Sequence, residues 1–138
     1  MLTHAAIAFA TALPTLLVAH HLGDHWVQTS CQAQGKSERS WRGARCCAAH
    51  VAGYTATTSA LLGLVILLLG LPVSPLGFAT GQLVSAGTHY WADRRYTLRW
   101  LATVVRKLGY YEHGGAYELD QSFHRVWLLV AALATALI

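Results

Sequence analysis

Apolar residues run through this chain in long uncharged stretches that alternate with short charged ones. Residues 1 to 23, 46 to 92 and 126 to 138 contain no Asp, Glu, Lys or Arg; all sixteen such residues fall in two windows, Asp24 to Arg45 and Asp93 to Arg125. Segregation of this kind is expected when the uncharged segments sit in hydrocarbon, where a charge at the centre costs about 2.5 kcal/mol or more. About 20 helical residues cross the apolar core of a bilayer, so the first stretch predicts one span, about 2–22. The second is twice that length and is broken by Leu71-Pro72-Val73-Ser74-Pro75. It predicts a helical hairpin with spans of about 47–70 and 75–92. The last stretch is short and needs a helix beginning near Gln121, with Arg125 reaching back to the interface. The expected fold is an all-α integral membrane protein, one membrane domain over 1–138, with four transmembrane helices (2–22, 47–70, 75–92 and 121–138).

The two remaining segments, about 24–45 and 93–120, then lie on one side. They hold nine of the ten basic residues, and the tenth, Arg125, stands at the start of the fourth span on the same side. The positive-inside rule makes that side the cytoplasm and puts both termini outside. Within the second segment, Leu98, Leu101, Val105 and Leu108 recur at helical spacing across Tyr96–Leu108. This predicts an amphipathic helix lying on the inner membrane surface between the third and fourth spans. Gly114-Gly115 then supplies a turn.

Composition agrees with this picture. Charged residues make up 12% of the chain, against about 25% in soluble domains. The basic balance, a net charge of +4, is accounted for by topology, so no nucleic-acid partner is expected; the expected partners are the lipid bilayer and a second copy or another membrane protein. Cys31, Cys46 and Cys47 are odd in number and lack metal-finger spacing, and read as free thiols.

Chemistry concentrates at one depth. His20 and Asp24, His89 and Asp93, and Asp120 and His124 are pairs four residues apart, which places both members on one face of a helix; His50 stands at the start of the second span. The topology brings all seven to the cytoplasmic ends of the helices. Gly77, Gly81, Ser85, His89 and Asp93 follow at intervals of four, a small-residue stripe of the kind that packs against neighbouring helices in lipid. His50, Tyr54, Thr57 and Thr58 form a polar stripe on the second span. Gln28 and Gln121 are placed to support the ligands by hydrogen bonds, whereas His4, His25 and His113 have no partner at useful spacing.

The stretch His20-His21-Leu22-Gly23-Asp24-His25-Trp26-Val27-Gln28-Thr29 resembles the H-L-L-A-D-F-x-x-Q-T signature of a family of small bacterial and phage membrane proteins, domain of unknown function 3307. The resemblance continues through Lys36, His50, the His89/Asp93 pair and Asp120-Gln121-x-x-His124. His21 and His25 stand where the family has apolar residues, and either His20 or His21 is spaced to face Asp24. The resemblance implies a multi-span protein of the bacterial inner membrane and no particular activity.

Three readings of the cluster follow. His20, Asp24, His50, His89, Asp93, Asp120 and His124 can be ligands of a divalent transition metal, for which nitrogen and carboxylate donors without thiolate suit zinc, manganese or iron, with metal-dependent hydrolysis as the activity such a site supports. They can instead be a structural network in a non-enzymatic assembly or accessory protein. They can also belong to a small ion or proton conductor, which the apolar outer halves of the helices disfavour. No Gly-rich phosphate loop, nucleophile elbow or HExxH stretch points to other chemistry.

Overall fold

The computed structural model describes residues 2–138, with side chains from residue 3 onward. Helix α1 (Leu2–Leu22) runs on into a wide π turn, Gly23–Val27. A short α2 (Ser30–Gly35) precedes the long α3 (Trp41–Leu69), followed by α4 (Pro75–Asp93), α5 (Tyr96–Val104), a single turn α6 (Leu108–Tyr110), a second π turn (Tyr111–Gly115) and α7 (Ala116–Leu137). No strand occurs among the described residues.

Helices α1, α3, α4 and α7 form a four-helix ring in which α1 packs on α3 and α7, and α4 on α3 and α7. The α3–α4 hairpin is built from local signals that the sequence displays. Gly70 takes the left-handed conformation (φ 59°) that closes a helix, and the Leu71 N–H returns to the Ile66 carbonyl, a Schellman closure. Ser74 then caps α4 by accepting from the Gly77 N–H at 2.8 Å, and Pro75 occupies the first turn, where its missing N–H costs nothing.

Away from the cluster the bundle is filled by Ala12, Leu16, Leu62, Leu128, Ala131 and Ala132, all essentially without solvent contact. The small-residue stripe of α4 meets α7. A Cβ at Gly77 would stand 2.7 Å from the Thr135 carbonyl oxygen, and one at Gly81 would stand 2.8 Å from that of Ala131. Backbones this close leave no room for a side chain, which is why glycine recurs there.

Several boundaries differ from expectation. The segment 24–45 is largely helical: Thr29 caps α2 through a reciprocal capping box with Gln32, and Ser40 caps α3, which therefore begins at Trp41 rather than at 47. Helix α7 starts at Ala116, five residues ahead of 121, so Asp120 lies within it. The amphipathic helix stops at Val104 instead of Leu108. Arg106 adopts φ 58° and the Lys107 N–H bonds to the Ala102 carbonyl, another Schellman closure.

Two helical segments, Thr3–Val27 and Trp41–Leu69, are long and apolar enough to cross a membrane; α4 and α7 do not reach the same apolarity. The face they bury carries Gln82, Ser85, His89 and Asp93 on α4 and Gln121, His124 and Thr135 on α7, and α7 adds the half-buried Asp120 and the exposed Arg125. The outward face of the same helices remains apolar, with Leu76, Leu83, Val126 and Leu137 exposed.

Candidate metal centre

Each ring helix delivers a histidine to one end of the bundle. His20 closes α1, His50 lies in the third turn of α3, His89 sits one turn before the end of α4, and His124 is in the third turn of α7; all four are buried. Asp24 follows His20 on the π turn, whose extra width carries the carboxylate inward. Of the two histidines spaced to face Asp24, His20 does so, while His21 is exposed and stacks on His25.

Two imidazole nitrogens and two carboxylate oxygens crowd together here. His50 Nε2 and His89 Nε2 are 3.0 Å apart. Asp24 Oδ1 is 3.4 Å from the first and 3.2 Å from the second; Asp93 Oδ2 is 3.1 Å and 3.3 Å from the same two atoms. Each carboxylate oxygen thus closes a triangle with the same two imidazole nitrogens, all edges between 3.0 and 3.4 Å. Donors held about 2.0 Å from one zinc in tetrahedral coordination stand about 3.3 Å apart, which is the spacing within each triangle. Neither Asp24 Oδ1 nor Asp93 Oδ2 has a hydrogen-bond partner although both are buried. They approach the imidazoles closely without pointing at an N–H, as lone pairs aimed at a common ion do. A hydrogen-bond network of the same residues would leave both oxygens desolvated and unpaired, at about 1–3 kcal/mol each or more for a charged group.

The remaining donors form a wider, more open half of the site. His20, His89 and His124, and likewise Asp93, Asp120 and His124, present ligand atoms within 4.8 Å of one another. His20 Nε2 lies 3.6 Å from Asp24 Oδ2, and His124 Nε2 lies 3.7 Å from Asp120 Oδ1. His20 and His124 Nε2 are buried without a hydrogen-bond partner. Asp120 is the carboxylate with real solvent access, its side chain 24% exposed against 9% for Asp24 and 3% for Asp93.

The surroundings fix the charge and the orientation. Lys36 Nζ bonds Asp93 Oδ1 at 2.8 Å, holding one carboxylate oxygen and leaving the other for the centre. Lys36 is held in turn by Arg94, which donates to the carbonyls of Lys36 and Glu38 at 3.1 and 2.6 Å. Three carboxylates against one ammonium leave a surplus of two negative charges when the imidazoles are neutral, which a divalent cation matches. The surplus shows at Asp120: burial and the nearby Asp93 carboxylate push its carboxyl above the usual range. Tyr54 stacks on His89 with ring centroids 3.8 Å apart, and its hydroxyl pairs with Ser85 at 2.7 Å.

All seven candidate ligands are thus brought together. Gln121 supports the site as expected, donating to Asp120 Oδ2 at 3.2 Å. Gln28 does not: its amide nitrogen is buried without a partner, because the chain leaves the π turn in an extended conformation at this residue. His4, His25 and His113 are exposed. Arg94 escaped the sequence reading because an arginine in a basic loop reads as a topology signal; Lys36 entered only by resemblance. The three cysteines are free. No protein-family model, no curated protein and no solved structure matches this chain.

Proposed function

We propose that this chain is a four-span protein of the bacterial inner membrane that holds a divalent transition metal at the cytoplasmic ends of its helices and uses it for hydrolysis. The observation that carries the proposal is the crowding of one oxygen each of Asp24 and Asp93 against the Nε2 atoms of His50 and His89, at the spacing of donors that share an ion and with oxygens that have no hydrogen-bond partner. A divalent metal bound there supplies a lowered pKa for water. Asp120, at the open edge, is the group placed to accept a proton from that water, and His20 and His124 line the same side. Lys36 acts through Asp93, and Arg94 through the loop that carries Lys36.

Membrane residence is supported by what the bundle exposes. Leu64, Leu67, Leu68, Leu76, Leu83 and Leu137 face outward over the half remote from the cluster, while the highly exposed Trp26, Trp41 and Trp100 ring the cluster end. Tryptophan at this level is the mark of a membrane–water interface. Conduction is not part of the proposal, since the apolar layer of Leu16, Leu62 and Leu128 fills the bundle beyond the cluster. The experiment is elemental analysis of protein purified without chelator beside a His89→Ala variant. Stoichiometric zinc, manganese or iron in the parent and none in the variant is expected; metal-free parent indifferent to added zinc and manganese would return the cluster to a structural role.

A further inference from the structure

Two hollows meet beside the open edge of the cluster. The first, about 280 Å³, is lined by Arg95, Leu98, Tyr111, Ala116, Tyr117 and Asp120, so its floor is the exposed carboxylate of the site. The second, about 360 Å³, shares Leu98 and continues between α5 and α7 along Leu101, Val105, Phe123, Val126 and Trp127. One is polar at its mouth and ends at candidate chemistry; the other is a strip of hydrocarbon and aromatic surface. Together they have the size of a small-molecule site.

The first hollow carries a cation whose backbone is held in place. Arg95 is exposed and has φ 53°, a left-handed conformation that a side-chain-bearing residue adopts at a cost of about 1–2 kcal/mol. The Tyr111 hydroxyl, on the facing wall, donates to the Arg95 carbonyl at 3.5 Å. Arg99, one turn on, is committed to Glu112, whereas among the described residues no carboxylate pairs with Arg95. A guanidinium and two tyrosines over a carboxylate-lined metal site suit an anionic oxygen group rather than a sugar or a neutral ester. The apolar cleft leads away from it along the flank of α7 where Val126 and Val130 are exposed, the face that meets lipid.

We propose that the substrate is a phosphate-headed membrane lipid, a glycerophospholipid that enters from the surrounding leaflet with its phosphate between Arg95 and Asp120 and an acyl chain in the α5–α7 cleft. This rests on the reading of the cluster as the reactive centre. Hydrolysis there joins a water oxygen to phosphorus, breaks one P–O ester bond and passes the water's proton by way of Asp120 to the departing alkoxide, with no oxidant or reductant.

Lipid retention separates this proposal from the metal reading, because the cleft and Arg95 do not depend on the ion. Native mass spectrometry of the full chain, chelator-treated and untreated, is run with added dioctanoyl phosphatidylglycerol, dioctanoylglycerol and glycerol 3-phosphate. One phosphatidylglycerol is expected per chain in both preparations, with the phosphate-free and the chain-free ligands at least about tenfold weaker. Val126→Trp, which fills the cleft from an exposed position, and Arg95→Gln, which removes the cation, should each weaken retention by about tenfold, the value of one charge-assisted contact. Arg42→Gln, lining neither hollow, should leave it unchanged. Unchanged melting temperatures confirm that the variants fold. Phosphatidylglycerol retained equally by Val126→Trp, Arg95→Gln and the parent, or glycerol 3-phosphate bound as tightly as the lipid, would overturn the lipid proposal and leave the metal centre intact. An untreated preparation that carries no metal, takes up none of added zinc or manganese, and still retains one lipid through Arg95 and Val126 would sustain the binding site and remove the centre.

Discussion

Removing the ion and removing His50 should destabilise the protein by routes that do not add. An ion present at a hundred times its dissociation constant stabilises the folded state by about 2.7 kcal/mol. For a chain of this length each kcal/mol corresponds to roughly 3–4 °C in melting temperature, so chelator should lower the parent by about 10 °C. His50→Ala takes away one of the four proposed donors and its 3.0 Å contact with His89. The variant should therefore melt near the chelated parent, lower by the further ~1 kcal/mol of one lost hydrogen bond. Chelator added to the variant should do nothing. The assay is thermal unfolding in detergent, parent and variant, each with zinc and with chelator. A parent that melts at one temperature in both conditions, or a His50→Ala variant that keeps a full chelator response, would refute the four-donor centre.

Gly81→Leu should destabilise the bundle by about 1–3 kcal/mol or more, since its Cβ would stand 2.8 Å from the Ala131 carbonyl oxygen; Leu83→Ala, at a position 73% exposed, should change detergent melting little, and equal effects would mean that the stripe does not pack. Lys36→Met leaves Asp93 a buried carboxylate without its cation and should cost about 3–5 kcal/mol, while Lys36→Arg should recover part of that by the same measurement; a neutral Lys36→Met would show that the pair carries no weight. In a cysteine-free background, labels at Ser37 and Gly114 should react from the same side of the membrane and a label at Ser74 from the other, and reaction of Ser37 and Ser74 from one side would remove the proposed topology.

The spacing of polar residues carried most of the site. Intervals of four fix which residues share a helix face, and the Pro72–Pro75 break fixes the hairpin, so the four histidines could be placed at one level before any coordinates. What escaped was set by contacts between distant segments. The Lys36–Asp93 bond joins residues 57 positions apart, and nothing local distinguishes Lys36 from the other basic residues of its loop. Helix starts were misplaced where charged residues join a helix, as at Trp41 and Ala116, because Arg42, Arg45, Glu118 and Asp120 read as loop by polarity although α3 and α7 carry them. The apolarity of α4 and α7 was overstated for a related reason. The stretches are free of Asp, Glu, Lys and Arg along most of their length, yet their inner faces are polar.

Gly23, Tyr54 and Ser85 lie on three different elements and none of them is a candidate ligand, yet their shapes are mutually dependent. Tyr54 lies flat against His89 only because Gly23 has no side chain: a Cβ there would stand 2.9 Å from the Tyr54 ring. Its hydroxyl, meanwhile, ends on Ser85, one turn below His89 on the same helix. A larger residue at position 23 would press the ring into the imidazole, and a smaller one at 54 would let the imidazole swing. These three positions therefore form one mechanical unit, in which a change at any one shifts the ring that sets the orientation of His89.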